Sequence, residues 1–130
     1  MTAYLDTNVI IRHLTGDPPA PAARATAFLA GADELLLTDV VVAETVYVLE
    51  SFYEVARREV ARLLRAVIGF PAMRVRGHDL LLRALEVYED HRLYFAEAYL
   101  VAAAEVAGVP QVASFDRALD RVPSVHRLEP

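Results

Sequence analysis

The chain has no cysteine, no lysine and no tryptophan, and its four histidines, His13, His78, His91 and His126, lie far apart without metal-ligand spacing. Lack of cysteine excludes disulfides, thiolate nucleophiles and Cys-ligated zinc together. Any metal must then be held mainly by oxygen. No apolar run reaches the roughly 18 residues needed to span a bilayer. Met1 leads straight into a strand-like segment instead of a basic stretch followed by a signal core, so a cytoplasmic location without membrane contact is expected.

What the chain does have is enough apolar material for one core. Its 130 residues are 55% hydrophobic and 24% charged, the balance of a folded domain and not of a disordered one. That length predicts a single domain spanning residues 1–130. The net charge of −5 counts mildly against a polyanionic partner. A site that gathers carboxylates around a cation inverts its own local field, however, so the distribution matters more than the sum.

Short β-branched or apolar runs alternate with longer helical patterns. Strands are expected at Ala3–Leu5, Leu35–Leu37, Met73–Val75 and Val112–Ala113, with a short one near Val125–Leu128. Helices are expected at Val9–Leu14, Pro21–Leu29, Val40–Tyr53, Arg57–Ile68, Asp79–Asp90 and Phe95–Ala107, with Gly69, Pro71, Gly108 and Pro110 as stop signals. The alternation predicts an α/β fold with a mostly parallel central sheet flanked by helices. In such sheets ligands bind beyond the carboxyl ends of the strands.

Four acids stand out against that frame. Asp6 follows the first strand in Tyr4-Leu5-Asp6-Thr7-Asn8, and Asp116 follows the fourth in Ser114-Phe115-Asp116. Either could simply cap the next helix. Glu44 interrupts an apolar helix, sharing a stripe with Val41 and Val48, and Glu97 does the same beside Leu100, Val101 and Ala104. Both glutamates are therefore expected to lean towards the core, where an arginine partner is the alternative to a functional role. Four carboxylates about 6 Å apart form six pairs, each repelling by about 3 kcal/mol at an effective dielectric of about 20, roughly 17 kcal/mol in all. That exceeds the stability of a typical domain, about 5 to 15 kcal/mol. Such a cluster takes up protons or a hard divalent cation: magnesium, with manganese as a substitute.

At these four places the chain resembles PIN-domain ribonucleases, most closely toxins of the VapC type from bacterial toxin–antitoxin pairs. The resemblance rests on Leu5-Asp6-Thr7-Asn8, Val42-Ala43-Glu44, Phe95-Ala96-Glu97-Ala98 and Ser114-Phe115-Asp116, in that order and context. It implies a Rossmann-like PIN fold, magnesium-dependent endoribonuclease activity, a cognate antitoxin protein and frequent homodimerisation. Asp6, Glu44, Glu97 and Asp116 then take the family's catalytic and metal-binding positions, with Asn8 and Ser114 as supporting polar residues. The third acid is usually aspartate, and Glu97 departs from that by one methylene.

Arg58, Arg62 and Arg65 lie on one helical face and form a candidate RNA-contacting stripe, or a solvated face paired with Glu54 and Glu59. Tyr47, Phe52, Tyr53, Tyr94, Phe95 and Tyr99 could stack bases or close a dimer, although core packing is expected for most. Receiver domains and aspartyl-phosphate phosphatases also place aspartates at strand ends but generally need a lysine, which is absent. The remaining alternative is a degenerate PIN scaffold that binds a partner or RNA without cutting it.

Overall fold

Leu35 and Leu37 are buried while Glu34 and Leu36 are only half-buried, the period-two pattern of a strand with one face in a core. This run is β2, Glu34–Leu37, in the computed structural model, which describes every residue from Met1 to Pro130. It lies between β1 (Thr2–Tyr4) and β3 (Met73–Val75) and runs parallel to both, with Ala3 opposite Leu35 and Leu36 opposite Arg74. Parallel neighbours need crossover connections. Helices α1 (Thr7–Thr15) and α2 (Pro19–Gly31) make the first crossover, and α3 (Asp39–Ser51) and α4 (Arg57–Ile68) the second. Together they form one compact unit, Met1–Arg76.

Local chemistry sets the helix ends. Gly16 closes α1 with φ +70°, a left-handed conformation that costs glycine little, and its N–H donates to the Arg12 carbonyl at 2.9 Å. Pro19 opens α2 at the first helical position, where its missing N–H would have had no partner. Thr38 caps α3 by accepting from the Val41 N–H at 3.2 Å. On α4, Val60, Ala61, Leu64, Val67 and Ile68 form one buried stripe.

The second unit is Gly77–Pro130. Helix α5 (His78–His91) packs against α6 (Phe95–Ala107), burying Leu81, Leu85 and Tyr88 on one and Ala98, Val101 and Ala102 on the other. After α6 come β4 (Gln111–Ala113), a 3-10 helix (Arg117–Arg121) and β5 (His126–Leu128), which pairs with β4 in parallel. Arg83 of α5 donates to both Glu105 oxygens of α6 at 2.8 and 2.9 Å, and Glu105 also accepts from Ser124 Oγ at 2.5 Å. This network ties the two helices to the segment that precedes β5.

All strand pairs are parallel and six α-helices accompany them, as the sequence pattern implies. Three expected elements, Arg57–Ile68, Met73–Val75 and Phe95–Ala107, have the expected ends. The first helix starts at Thr7 instead of Val9 because Asp6 caps it, and the third stops at Ser51, short of Tyr53. The 3-10 helix has no counterpart in the periodicity, since only Leu119 of its five residues is buried. No helix is long and apolar enough to cross a membrane.

Candidate functional site

The β1–β2 pairing continues past β1 through a bond from the Leu5 N–H to the Leu36 carbonyl at 3.0 Å, so Asp6 emerges at the carboxyl end of the strand. Its backbone is extended, and Oδ1 accepts from the Thr7 N–H at 2.8 Å. Asp6 does cap α1, therefore, but capping engages only one carboxylate oxygen of an exposed residue. The buried Thr7 then donates its hydroxyl to Glu44 Oε2 at 3.1 Å. One short segment thus links both acids of the first unit.

Glu44 does not lean on the core as expected. It is exposed, and its stripe-mates Val41 and Val48 are only half-buried. The buried face of α3 is formed by Val42, Thr45, Val46 and Leu49. The helix is apolar nearly all the way round, so spacing alone could not say which of two stripes meets the core.

Glu97 stands at the third position of α6, and its carboxylate is bonded back to the backbone N–H of Tyr94, the acidic half of a capping box. Its Oε1 is buried and has no hydrogen-bond partner. Burial is the largest cause that pushes the Glu97 carboxyl up to about 7, and a side-chain hydrogen bond with Asp116 is the next. Asp116 is shifted the other way, first by the Ala118 N–H that Oδ1 accepts at 2.9 Å and then by Glu97. Of the two neighbouring carboxyls, Glu97 is therefore the one that takes up a proton more readily. The Asp116 N–H in turn donates to Ser114 Oγ at 2.9 Å, so Ser114 shapes the turn that presents the acid.

The remaining expected residues divide. Asn8 is exposed and takes no part in these bonds. Arg58 is exposed, Arg65 is half-buried, and Arg62 donates through Nε to Glu59 at 2.9 Å, which commits that arginine to an ion pair. Asp120, another nearby acid, pairs with Arg127 at 3.0 Å. Core packing fails for most of the aromatics: Phe95 is buried, Tyr53 and Tyr99 are half-buried, and Tyr47, Phe52 and Tyr94 are exposed. Thr7 and the Tyr94 N–H, which hold the two glutamates, escaped sequence reasoning. Adjacency to Asp6 was the only hint for Thr7, and a backbone donor leaves no trace in residue identity.

Within neither unit do three His, Asp or Glu side chains gather into a ready-made metal cage. The paired carboxyls of Glu97 and Asp116 nevertheless suit a hard divalent ion. An orphaned buried oxygen on a carboxyl raised by burial is what a cation would satisfy, and magnesium commonly takes one or two carboxylates and completes its shell with water and substrate phosphate.

The family model described as the PIN domain matches residues 3–125. Among solved structures, the chain is similar to Mycobacterium tuberculosis VapC20, described as a sarcin-ricin loop cleaving toxin. The identity is 21%, the match covers 88% of this chain and 90% of that one, and the TM-score is 0.46. No curated protein sequence matches.

Proposed function

The chain belongs to the PIN-domain family, and from that premise we propose that it is a magnesium-dependent endoribonuclease acting as the toxin of a toxin–antitoxin pair. The observation that carries the reading is Glu97, an acid with a buried, unpartnered oxygen whose carboxyl is raised by burial and by its neighbour Asp116. The reading treats residues 1–130 as one PIN domain, because the family match runs through both units. It assigns Asp6, Glu44, Glu97 and Asp116 to the metal-binding and catalytic role. An RNA substrate, a cognate antitoxin protein, a homodimer and a cytoplasmic place of action complete the proposal.

A bound magnesium ion, or manganese in its place, would polarise the phosphoryl group, lower the pKa of an attacking water and stabilise the leaving oxygen. The protein's own residues supply the orientation. Capping engages Asp6 Oδ1, so Oδ2 would serve as the ligand oxygen. Thr7 donates its hydroxyl to Glu44, which would orient a water or complete the ion's shell. Glu97 and Asp116 would hold the cation as carboxylates, and Ser114 shapes the turn that presents Asp116.

The test is cleavage of a structured RNA by protein freed of any bound inhibitor, with and without magnesium. Cleavage that chelation stops and manganese restores is the expected result. RNA bound but left intact under saturating magnesium would establish the degenerate-scaffold alternative instead.

A further inference from the structure

Within the second unit, α6 carries Glu97 in its first turn, and Asp116 caps the 3-10 helix Arg117–Arg121 by accepting from the Ala118 N–H at 2.9 Å. Arg121 ends that short helix. Its side chain crosses to the turn between α5 and α6, where Nη1 donates to the Arg92 carbonyl at 3.1 Å. Arg92 stands in the left-handed region at φ +56°, an uncommon conformation for a residue with a side chain, and the next residue, Leu93, is fully buried. The carbonyl that Arg121 grips therefore belongs to a well-held turn, two residues before the Tyr94 whose N–H bonds Glu97. Arg121 is thus tethered beside the segments that present both acids.

A guanidinium has five N–H donors, and the tether uses one. Arg121 is otherwise exposed, with no further hydrogen bond and no ion pair. Its positive charge is nevertheless among the influences that lower both the Glu97 and the Asp116 carboxyl, so it lies within electrostatic reach of the pair without bonding either acid. Arg127, the other arginine that Asp116 feels, is spent: Nε and Nη2 go to Asp120 at 3.0 and 3.3 Å, and Nη1 goes to the Ser114 carbonyl and to Glu129 at 3.1 and 3.2 Å. Arg62 and Arg83 are likewise paired with carboxylates. Arg121 keeps most of its donors and an unneutralised charge beside two acids, in a chain whose net charge is −5.

A magnesium ion at Glu97 and Asp116 would leave coordination positions to water and substrate phosphate. A phosphate bound there has non-bridging oxygens to spare, and a planar guanidinium matches such oxygens with parallel N–H donors. We infer that Arg121 bonds the non-bridging oxygens of the RNA phosphate seated at the Glu97–Asp116 site. This rests on the ribonuclease reading and deepens it with a substrate contact that none of the four acids supplies. An arginine that only held the α5–α6 turn against the 3-10 helix would have no use for its remaining donors, and a neutral donor would serve that purpose as well.

Arg121→Met keeps the apolar stem but removes the charge and every donor, whereas Arg121→Gln keeps a donor for the Arg92 carbonyl without the charge. With saturating magnesium and a structured RNA, each variant should lower kcat/KM between about 10-fold and about 100-fold. The slope of log KM against log potassium chloride should become shallower by about 0.7 to 0.9, the share of one phosphate contact. Magnesium binding to the RNA-free variants should match or exceed that of wild type, because a nearby positive charge has gone. If magnesium affinity falls in both variants while the salt slope stays, Arg121 positions the acids and the inference is overturned. Wild-type kcat/KM and salt slope in both variants would overturn it too, with the ribonuclease reading left standing. Should Arg121→Met fail to fold, Arg121→Gln decides by the same readings. A wild type that cuts no RNA at all removes both.

Discussion

Asp6 and Glu44 in the first unit stand exposed and are joined through Thr7, whose backbone N–H donates to the one and whose hydroxyl donates to the other, whereas in the second Glu97 has one oxygen sealed from water and a carboxyl raised beside Asp116. The difference lies in what each pair costs the fold. The first has its charges solvated, and its hydrogen bonds come from Thr7, which serves helix and site together. The second stores the desolvation of a carboxyl that has no partner for one oxygen, relieved in the metal-free protein by keeping that carboxyl protonated. Substitutions should therefore act on activity alike in both units but on stability differently.

The largest effect should come from Asp6→Asn and Asp116→Asn. Each amide still accepts the backbone N–H that its aspartate accepts, so the melting temperature should stay near that of wild type. Loss of the charge should lower cleavage by about 100-fold or more, the scale on which preorganised transition-state stabilisers act. Paired melting and rate measurements check both halves. A variant that melts normally and cuts normally would show that its aspartate is a cap and nothing else.

Glu97→Gln should separate the two pairs. Burial raises the folded pKa of Glu97 to about 7 from its ordinary value of 4.5. The stability this protonated carboxyl contributes is thus fully present below about 4.5 and is lost as pH rises through about 7. Metal-free wild type should melt at falling temperatures between pH 5 and 8 for this reason. The glutamine variant should lose that slope and exceed wild type at pH 8 while losing most of its cleavage, and Glu44→Gln should leave the slope in place. Glu97→Asp restores the usual family residue with a shorter reach, and activity should survive in part. Calorimetric melting across that pH range reads the comparison directly, and an unchanged slope in Glu97→Gln would remove the buried-carboxyl account.

Much of this was legible in the sequence and some was not, for physical reasons. The short apolar run Leu35–Leu37 and the single apolar stripe of α4 identify their elements. The dual use of Asp6 and Asp116 was visible as two competing roles, and capping by one oxygen leaves room for both. Glu44 was misjudged because α3 has apolar residues on every face, and Tyr47 because large aromatics usually go inside. Proton uptake by crowded acids was legible, but not that Glu97 beside Asp116 is where it falls, since that depends on the turn that Ser114 and Asp116 make together.

Smaller effects sharpen the contrast. Thr7→Val removes the hydroxyl that holds Glu44 but keeps the buried shape, so stability should fall by about 1 kcal/mol and cleavage by a few-fold, read from melting and steady-state rates. Ser114→Ala removes the acceptor of the Asp116 N–H, at a similar or smaller cost. Its rate loss should be largest at low magnesium, where a loosely presented ligand matters most. A Thr7→Val protein with an unaltered rate would mean that Glu44 needs no anchoring.

The most direct measurement is a magnesium titration of the RNA-free protein near pH 6, about one unit below the Glu97 value of about 7, repeated in buffers of different ionisation enthalpy so that released protons are counted. If the two acid pairs are cation ligands, wild type should bind magnesium and release close to one proton per ion, because the cation displaces the proton held by Glu97. Glu97→Gln should bind more weakly and release none. Magnesium binding without proton release in wild type, or equal release from the Glu97→Gln variant, would contradict the assignment of that pair as the metal site.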